Sequence, residues 1–411
     1  MTGWRYYGWW GIVLAAFLII WTTNGLTIGG VAAFDPYLLD TLQIARGPLK
    51  FGDFIQLATA AIFTVGSGWA ADRYGVRPVM TVGVVLLATA FLGYAYVDAL
   101  SHVYWLRFLM GVGLSCAGLA ICVVIVSRWF FLRRGLALGL MLAGTSLSNA
   151  LFPSVFTSFI ESFGWRTAAL YVSVTPLLLL PIIWLALKEW PERIGLKPYG
   201  AAAAAAPANV AGDELSYRDI LARLEFWLLG IAAFATFYAI LGTSQNLILH
   251  GRDLGFTPAQ AAALFFPLFI TGLLGKIGSG FLSDWLGRRL VWIGNLSLML
   301  AGALLLATLD KTLIVAAVAL FGLGWGGNYS LLQALAADFF GTRSLGRVMG
   351  AITVLDASGG ALGPWVTSAL FDRFGSYAPG FWLIAGLIGL AIVMALLLGA
   401  RVTRLEASAR A

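Results

Sequence analysis

Apolar residues fill the chain in runs of about twenty, and polar residues collect in the short breaks between them. Twelve runs can be counted, at residues 8–34, 51–71, 78–97, 103–127, 136–160, 166–187, 224–249, 257–283, 290–308, 312–337, 347–371 and 378–400, each bounded by charged or Gly/Pro turns. A helix needs about 20 such residues to cross roughly 30 Å of hydrocarbon. The pattern therefore predicts twelve transmembrane helices, and the expected fold class is an all-α membrane protein. Composition agrees: 60% of the 411 residues are hydrophobic and 11% are charged, against about 25% charged in soluble domains. The opening MTGWRYYGWW leads straight into an apolar run without a small-residue cleavage site, so that run is expected to stay as the first span.

A formal net charge of +7 raises the question of nucleic acid, and the distribution of the charge answers it. With an even number of spans both termini share one side. Placing that side in the cytoplasm puts 18 Lys and Arg in cytoplasmic segments and 6 in outer loops, with Arg107 and Lys276 left inside spans. The positive-inside rule then sets both termini in the cytoplasm of a multi-pass protein, expected in the cell inner membrane. The positive charge is thus a topology signal, and no nucleic-acid partner is expected. Cys116 and Cys122 lie six apart in one apolar run, which suits small core residues better than a metal site or a disulfide. No nucleophile triad, phosphate-cradling loop or metal cluster is present, and Gly111 and Gly113 read as close helix packing. No enzyme activity, cofactor or metal is expected.

The sequence also repeats itself. GWAADRYGVR, residues 68–77, returns as GFLSDWLGRR, residues 280–289, so that Asp72, Gly75 and Arg77 recur as Asp284, Gly287 and Arg289 at an offset of 212. RGLALG with ALFP, and then Phe163 and Gly164, return as LGRVMG with ALGP, Phe374 and Gly375, at an offset of 211. Six spans were duplicated. The expected organisation is a six-helix bundle over 1–187, a cytoplasmic linker over 188–222, a second six-helix bundle over 223–400, and a cytoplasmic tail over 401–411. Within the linker lie an alanine run, Ala201–Ala206, and Ser216 with Asp219 at capping-box spacing.

Few charges enter the spans. Lys276 lies about seven residues, ~10 Å, from the cytoplasmic end of the eighth run, and Asp356 about ten residues, ~15 Å, from the same face in the eleventh. Burying an ammonium costs roughly 2.5 to 3.5 kcal/mol on insertion scales, so a lysine there is a functional candidate by default. Opposite charges at similar depth invite a pair or a proton-coupled exchange. The positions matching them in the first half are Thr64 and Thr145, which confines the charge chemistry to the second bundle. Asp72 and Asp284 fall at helix C-terminal ends, where the macrodipole disfavours an anion unless an arginine is near. Arg73, Arg77, Arg288 and Arg289 are the candidates to supply it.

GxxxDRxGxR after the second span, its echo after the eighth and Arg107 in RFLMGVG resemble the major facilitator superfamily over the whole chain. The opening YGWWGIVLAAF, RWFFLRRGLALG, and FGTRSLGRVMG followed by GGALGP are similar to its monocarboxylate transporter and oxalate:formate antiporter group, of bacterial type. The resemblance implies the two-bundle fold, gradient-driven transport by alternating access, and charged turns acting as a cytoplasmic gate: Asp72, Arg73, Arg77, Asp284, Arg288 and Arg289. It also places Asn24, with Thr22 and Thr23, Asn149, with Ser146 and Ser148, Gln245, Asn246, Asn328 and Tyr329 on cavity-lining spans as candidate substrate contacts. Gly322, Gly324, Gly326 and Gly327 precede the last two. His250, at the end of the seventh span, is a candidate pH-sensitive gate.

Two departures from the family pattern matter. Lys276 stands where the monocarboxylate group usually resembles an arginine that takes the substrate carboxylate, and Asp356 where the oxalate:formate antiporter has a lysine. The family's first-span lysine is also absent, with Ile28 about where it would be. Lysine gives up bidentate recognition but keeps a compact charge, and an aspartate in place of a second cation disfavours a dianion. The expected function is uptake of a small organic monocarboxylate with a proton, using Lys276 for the anion and Asp356, with Lys276 and His250, for proton coupling. The expected partners are the carboxylate, protons and the lipid bilayer, with the chain a monomer. Alternatives are an organic-anion exchanger, a proton-coupled exporter of drugs or amphipaths, and a transport-dead sensor. Export is disfavoured because the fifth span reads GTSLSNALFPSVF and the Gly363–Pro364 pair is in the eleventh.

Overall fold

The computed structural model describes residues 3–200 and 215–410. The alanine run Ala201–Ala206 and the rest of 201–214 in the expected linker lie outside the described residues, as does Ala411 at the end of the expected tail. Among the described residues there is no strand, only an isolated bridge between Phe130 and Tyr199. The helical segments in chain order are α1 (Gly8–Leu42), α2 (Arg46–Tyr74), α3 (Val76–Tyr94), α4 (Leu100–Trp129), α5 (Arg134–Phe163), α6 (Trp165–Ala186), α7 (Leu224–Ser244), α8 (Pro258–Leu286), α9 (Arg288–Ala307) and α10 (Ile314–Gly341). Residues 342–374 continue as α11 beyond a break at Gly341, where φ is 75°. Ala378–Leu398 is α12.

Eleven of these helices are long and apolar enough to cross a membrane. The exception is α11, the stretch expected as the eleventh span. It is helical throughout, but Asp356, Ser358, Gly359 and Gly360 dilute its middle and charged residues crowd its ends.

The repeated glycines have a backbone reason. Gly75 (φ 92°) joins α2 to α3 and Gly287 (φ 84°) joins α8 to α9; Gly164 (φ 79°) joins α5 to α6 and Gly375 (φ 69°) ends α11. Glycine enters this region without the penalty a Cβ brings, so each repeat keeps its tight reversal at the matched position.

The chain divides into two compact units, Met1–Ile44 with Phe51–Asn209, and Ala45–Lys50 with Val210–Ala411. In the first, α1 packs on α5, and α3 on α4 and α6; Met80, Ile125, Trp129, Phe130 and Met141 are buried at its core. In the second, α7 packs on α11 and α12, and α9 on α10 and α12, around Trp292, Leu296, Leu332 and Ile352. Residues before and after the undescribed stretch are tied down separately. Lys188 and Lys197 accept hydrogen bonds through their carbonyls from Trp129 and Trp9 in the first unit. Leu215 is held by Ser344 and Arg347 in the second. The capping box forms, with Ser216 and Asp219 each bonded to the other's backbone N–H. These bonds hold the Asp219 carboxyl below its ordinary range, so the cap's contribution is present above that range and fades as pH falls through the lowered value.

One crossing positions the candidate site. A Cβ at Gly322 would collide with the Leu268 carbonyl, and one at Gly275 with that of Leu323. At Gly326 it would collide with the Gly272 carbonyl and come within 2.8 Å of the Lys276 nitrogen. Helices α8 and α10 therefore meet backbone to backbone, and α9 closes on α10 at Gly324 beside Asn295 and Met299. The glycines ahead of Asn328 and Tyr329 serve this packing, the usual use of small residues between membrane helices. Gly326→Ala is expected to lower stability by at least about 1–3 kcal/mol, the range for overpacking. Gly386→Ala, with nothing within 4 Å of its Cβ, should melt like the parent in a detergent thermal scan. Equal melting of the two variants would refute the tight crossing.

Candidate functional site

Lys276 leaves α8 ten residues, ~15 Å, before its end at Leu286. It is half-buried, and its Nζ lies 6.0 Å from the Trp325 ring centroid. Among the described residues it forms no ion pair. A cation over an aromatic face is worth ~0.5–2 kcal/mol, less than the roughly 2.5 to 3.5 kcal/mol cost of placing the charge in a span.

Asp356 on α11 is buried, 4% exposed. The pairing with Lys276 that their similar depth invited is not formed. Lys276 instead neighbours Trp325, and Asp356 lies within electrostatic range of Tyr329, one turn further along α10. The Tyr329 ring meets Phe237 of α7 edge-on at 5.6 Å, and its hydroxyl interacts with Thr353 and Gln333. Lys276, Tyr329 and Asp356 thus gather around one face of α10.

Other candidates face different surroundings. Asn328 turns toward α9, its Nδ2 3.6 Å from Met299 Sδ and its Oδ1 without a hydrogen-bond partner among the described residues. Asn246 is fully engaged: Nδ2 donates to the carbonyls of Gly242 (2.8 Å) and Pro364 (3.2 Å), and Oδ1 accepts from Ser368 and from Tyr377 at 3.1 Å. Gln245 is buried beside it. His250 is buried between the rings of Tyr377 and Phe381, 5.5 and 4.9 Å away.

In the first unit, α1 departs from α-helix in mid-span. Gly25–Gly29 form a π-turn and Gly30–Phe34 a 3-10 turn, the kind of local irregularity often found at functional sites. Ile28, at the position of the missing family lysine, lies in that π-turn and is buried. Asn149 of α5 donates to Asn24 Oδ1 at 2.9 Å, and its own Oδ1 has no hydrogen-bond partner among the described residues.

The charged turns close on partners the sequence did not indicate. Asp72 pairs with Arg128 of α4 at 2.8 Å, while Arg73 lies over Trp69 and Tyr74 and Arg77 donates to the Leu187 carbonyl at 2.7 and 2.8 Å. Asp72, Arg73, Arg128, Glu189 and Trp190 line a polar cavity of about 270 Å³. In the second unit Arg288 pairs with Asp338 and Arg289 donates to the Leu396 carbonyl at 3.1 Å. Asp284 is exposed and has no ion-pair partner among the described residues.

The largest omission of sequence reasoning is in the first unit. Arg107, the other cation left inside a span, is 1% exposed. Its Nη1 pairs with Asp53 of α2 at 2.6 Å and its Nη2 with Asp35 of α1 at 3.4 Å. Gln56 Oε1 accepts from Nη1 at 3.1 Å. Lys50, counted as an outer-loop charge, is also buried, in the first turns of α2. The available signal was spacing: Lys50, Asp53 and Gln56 recur every third residue, one face of a helix that begins at Arg46 rather than 51.

The profile of the Major Facilitator Superfamily matches residues 12–364. The chain belongs to that superfamily. Membership makes it a multi-pass membrane transporter rather than an enzyme. Among superfamily members, Monocarboxylate transporter 13 of Bos taurus is 27% identical over 393 residues, covering 92% of this chain and 86% of that one. The Oxalate:formate antiporter of Oxalobacter formigenes is 26% identical, covering 89% and 86%. A bacterial homologue of the human lysosomal transporter Spinster shares the fold, with a TM-score of 0.71 at 16% identity over 97% of each chain.

Proposed function

We propose that this superfamily member carries a small organic monocarboxylate across the cell inner membrane by proton symport with alternating access, its termini in the cytoplasm. One observation carries the reading: the Lys276 ammonium lies in the second unit with an aromatic ring beside it and no anion paired to it among the described residues. An intramembrane cation ordinarily pairs with a carboxylate or carbonyl. Here the matching anion is the substrate's. Lys276 takes the carboxylate and Asp356, buried and with no paired cation among the described residues, takes up the proton that enters with it. The relatives named as monocarboxylate transporters and as an oxalate:formate antiporter support an organic anion as cargo. One lysine with one aspartate suits a monoanion better than a dianion. The charged turns from Asp72 and Asp284 serve as the cytoplasmic gate.

The test is uptake of radiolabelled lactate and benzoate into proteoliposomes under an imposed pH gradient, acidic outside. Accumulation of at least one acid, lost when a protonophore collapses the gradient, is expected. Entry that only equilibrates, whatever the gradient, would rule out proton symport.

A further inference from the structure

The aromatic rings around Lys276 take no part in the reading above, yet one of them stands against the amine that seats the carboxylate. Trp325 is fixed in place by α8. A Cβ at Gly272 would come within 3.2 Å of Trp325 Cε3, so the bare glycine is the notch that admits the indole. Phe269, one turn before that notch, meets the Trp325 ring edge-on at 6.0 Å, and Phe265 stacks on Phe269 at 5.9 Å. Lys276, one turn after it, brings Nζ to 6.0 Å from the Trp325 centroid. The indole is thus a rigid wall whose position relative to the amine is set by one helix face.

A second ring follows. Tyr329 lies four residues on, ~6 Å along the same face of α10, and its ring meets Phe237 of α7 edge-on at 5.6 Å. From Phe321 to Tyr329 every residue is buried except Leu323, Trp325 and Tyr329, which are half-buried. The glycines of this stretch go into the helix crossing, and the two rings are left partly uncovered in a row that begins at the amine.

The polar groups near that row are turned to other uses. Thr271 donates to the Pro267 carbonyl at 2.7 Å, and Ser279 is buried against Asn295 of α9 at 2.8 Å. The Tyr329 hydroxyl interacts with Thr353 and Gln333, and Thr353 donates to the Met349 carbonyl at 2.8 Å. Asn328 faces α9, and Asp356 is at the Tyr329 end of the row rather than beside the amine. A hydroxyl next to the substrate's carboxylate would therefore give up water for little in return, whereas an apolar planar body gives up nothing.

We propose, resting on the reading of Lys276 as the carboxylate seat, that the substrate is an aromatic monocarboxylate whose ring packs on Trp325 and points toward Tyr329. A carboxylate on the amine carries whatever it is attached to against the indole. Ring pairs favour offset or edge-on contact with centroids about 4.5–7 Å apart, the geometry that Phe269 and Phe237 already adopt with Trp325 and Tyr329. A short hydroxy acid reaches the amine alone and leaves both rings uncovered. Trp325 is the residue that selects the ring, and Gly272 and Phe269 position it.

The test is calorimetric titration of the purified protein in detergent with benzoate, cyclohexanecarboxylate and lactate. The first two carry the same charge on six-membered rings and differ in aromaticity. Benzoate is expected to bind about three- to tenfold tighter than cyclohexanecarboxylate, the usual gain of an aromatic pair beyond burial, and lactate more weakly than either. Trp325→Ala should bring the benzoate-to-cyclohexanecarboxylate ratio close to one, and Trp325→Phe should keep most of it. If Trp325→Ala does not fold, the parent's ratio, which needs no variant, decides. Equal binding of the two ring acids, lactate binding tightest, or a ratio unmoved by Trp325→Ala would overturn the aromatic assignment and leave the seat standing, provided Lys276→Gln abolishes the binding. No binding of any of the three, or binding that survives Lys276→Gln, would overturn the seat and the aromatic assignment with it.

Discussion

Lys276→Gln is expected to abolish carboxylate uptake, with kcat/KM falling on the order of a hundredfold or more, while the variant inserts and melts like the parent or better. The magnitude follows from the ~2–5 kcal/mol lost when one member of a buried charge pair is truncated, at 1.4 kcal/mol per factor of ten. The second half of the expectation separates a functional lysine from a structural one. Lys276 has no ion pair among the described residues and only Trp325 close to its amine. Its charge therefore costs more than its neighbours return, and removing it relieves that cost. A lysine kept for stability would behave in the opposite way, with uptake and melting falling together. Lys276→Arg should retain measurable uptake, since it restores the forked donor that matches a carboxylate. Radiotracer uptake beside a thermal scan of the three proteins checks both halves.

Asp356→Asn is expected to uncouple the transporter. Concentrative uptake under a pH gradient should fall to equilibration, whereas counterflow of labelled against unlabelled substrate persists. Asparagine keeps the shape and hydrogen-bonding capacity of the neutral acid but never carries charge, so one form of the cycle is held permanently. Because Asp356 lies near Tyr329 rather than Lys276, the carboxylate seat should survive with little change in KM for counterflow. If the variant still concentrates substrate, Asp356 is not the proton carrier.

What the sequence disclosed follows from what lipid demands. A backbone in hydrocarbon must satisfy its own hydrogen bonds, so spans announce themselves as apolar runs. All twelve expected runs are helical, although α11 is too polar to stand out by composition. The duplicated glycines were visible because a tight reversal at positive φ needs them, at Gly75 and Gly287 and again at Gly164 and Gly375. Lys276 and Asp356 were visible because single charges in mid-run have no bland explanation.

The charges near run ends were not legible in that way. Asp35 falls just past the first expected run, Asp53 just inside the second and Arg107 inside the fourth, and sequence gives no way to see that three helix ends converge. Partner choice at the charged turns failed for a related reason. Asp72 has arginines one and five residues away, yet pairs with Arg128, 56 residues on. Neighbours along a helix project in different directions, and the ring of Trp69 and the Leu187 carbonyl lie nearer to Arg73 and Arg77. Polar residues in spans were equally ambiguous: Asn246 is bonded at both ends of its amide, whereas Asn149 keeps an oxygen free of partners among the described residues.

The central claim, that the Lys276 amine is the seat of an incoming carboxylate, is tested most directly by thermal-shift titration of small carboxylates against the purified parent and Lys276→Gln. A bound ligand raises apparent stability by RT ln(1 + [L]/Kd). At least one monocarboxylate should raise the parent's melting temperature with saturation and leave the variant unmoved. A carboxylate that stabilises both proteins equally would contradict the account.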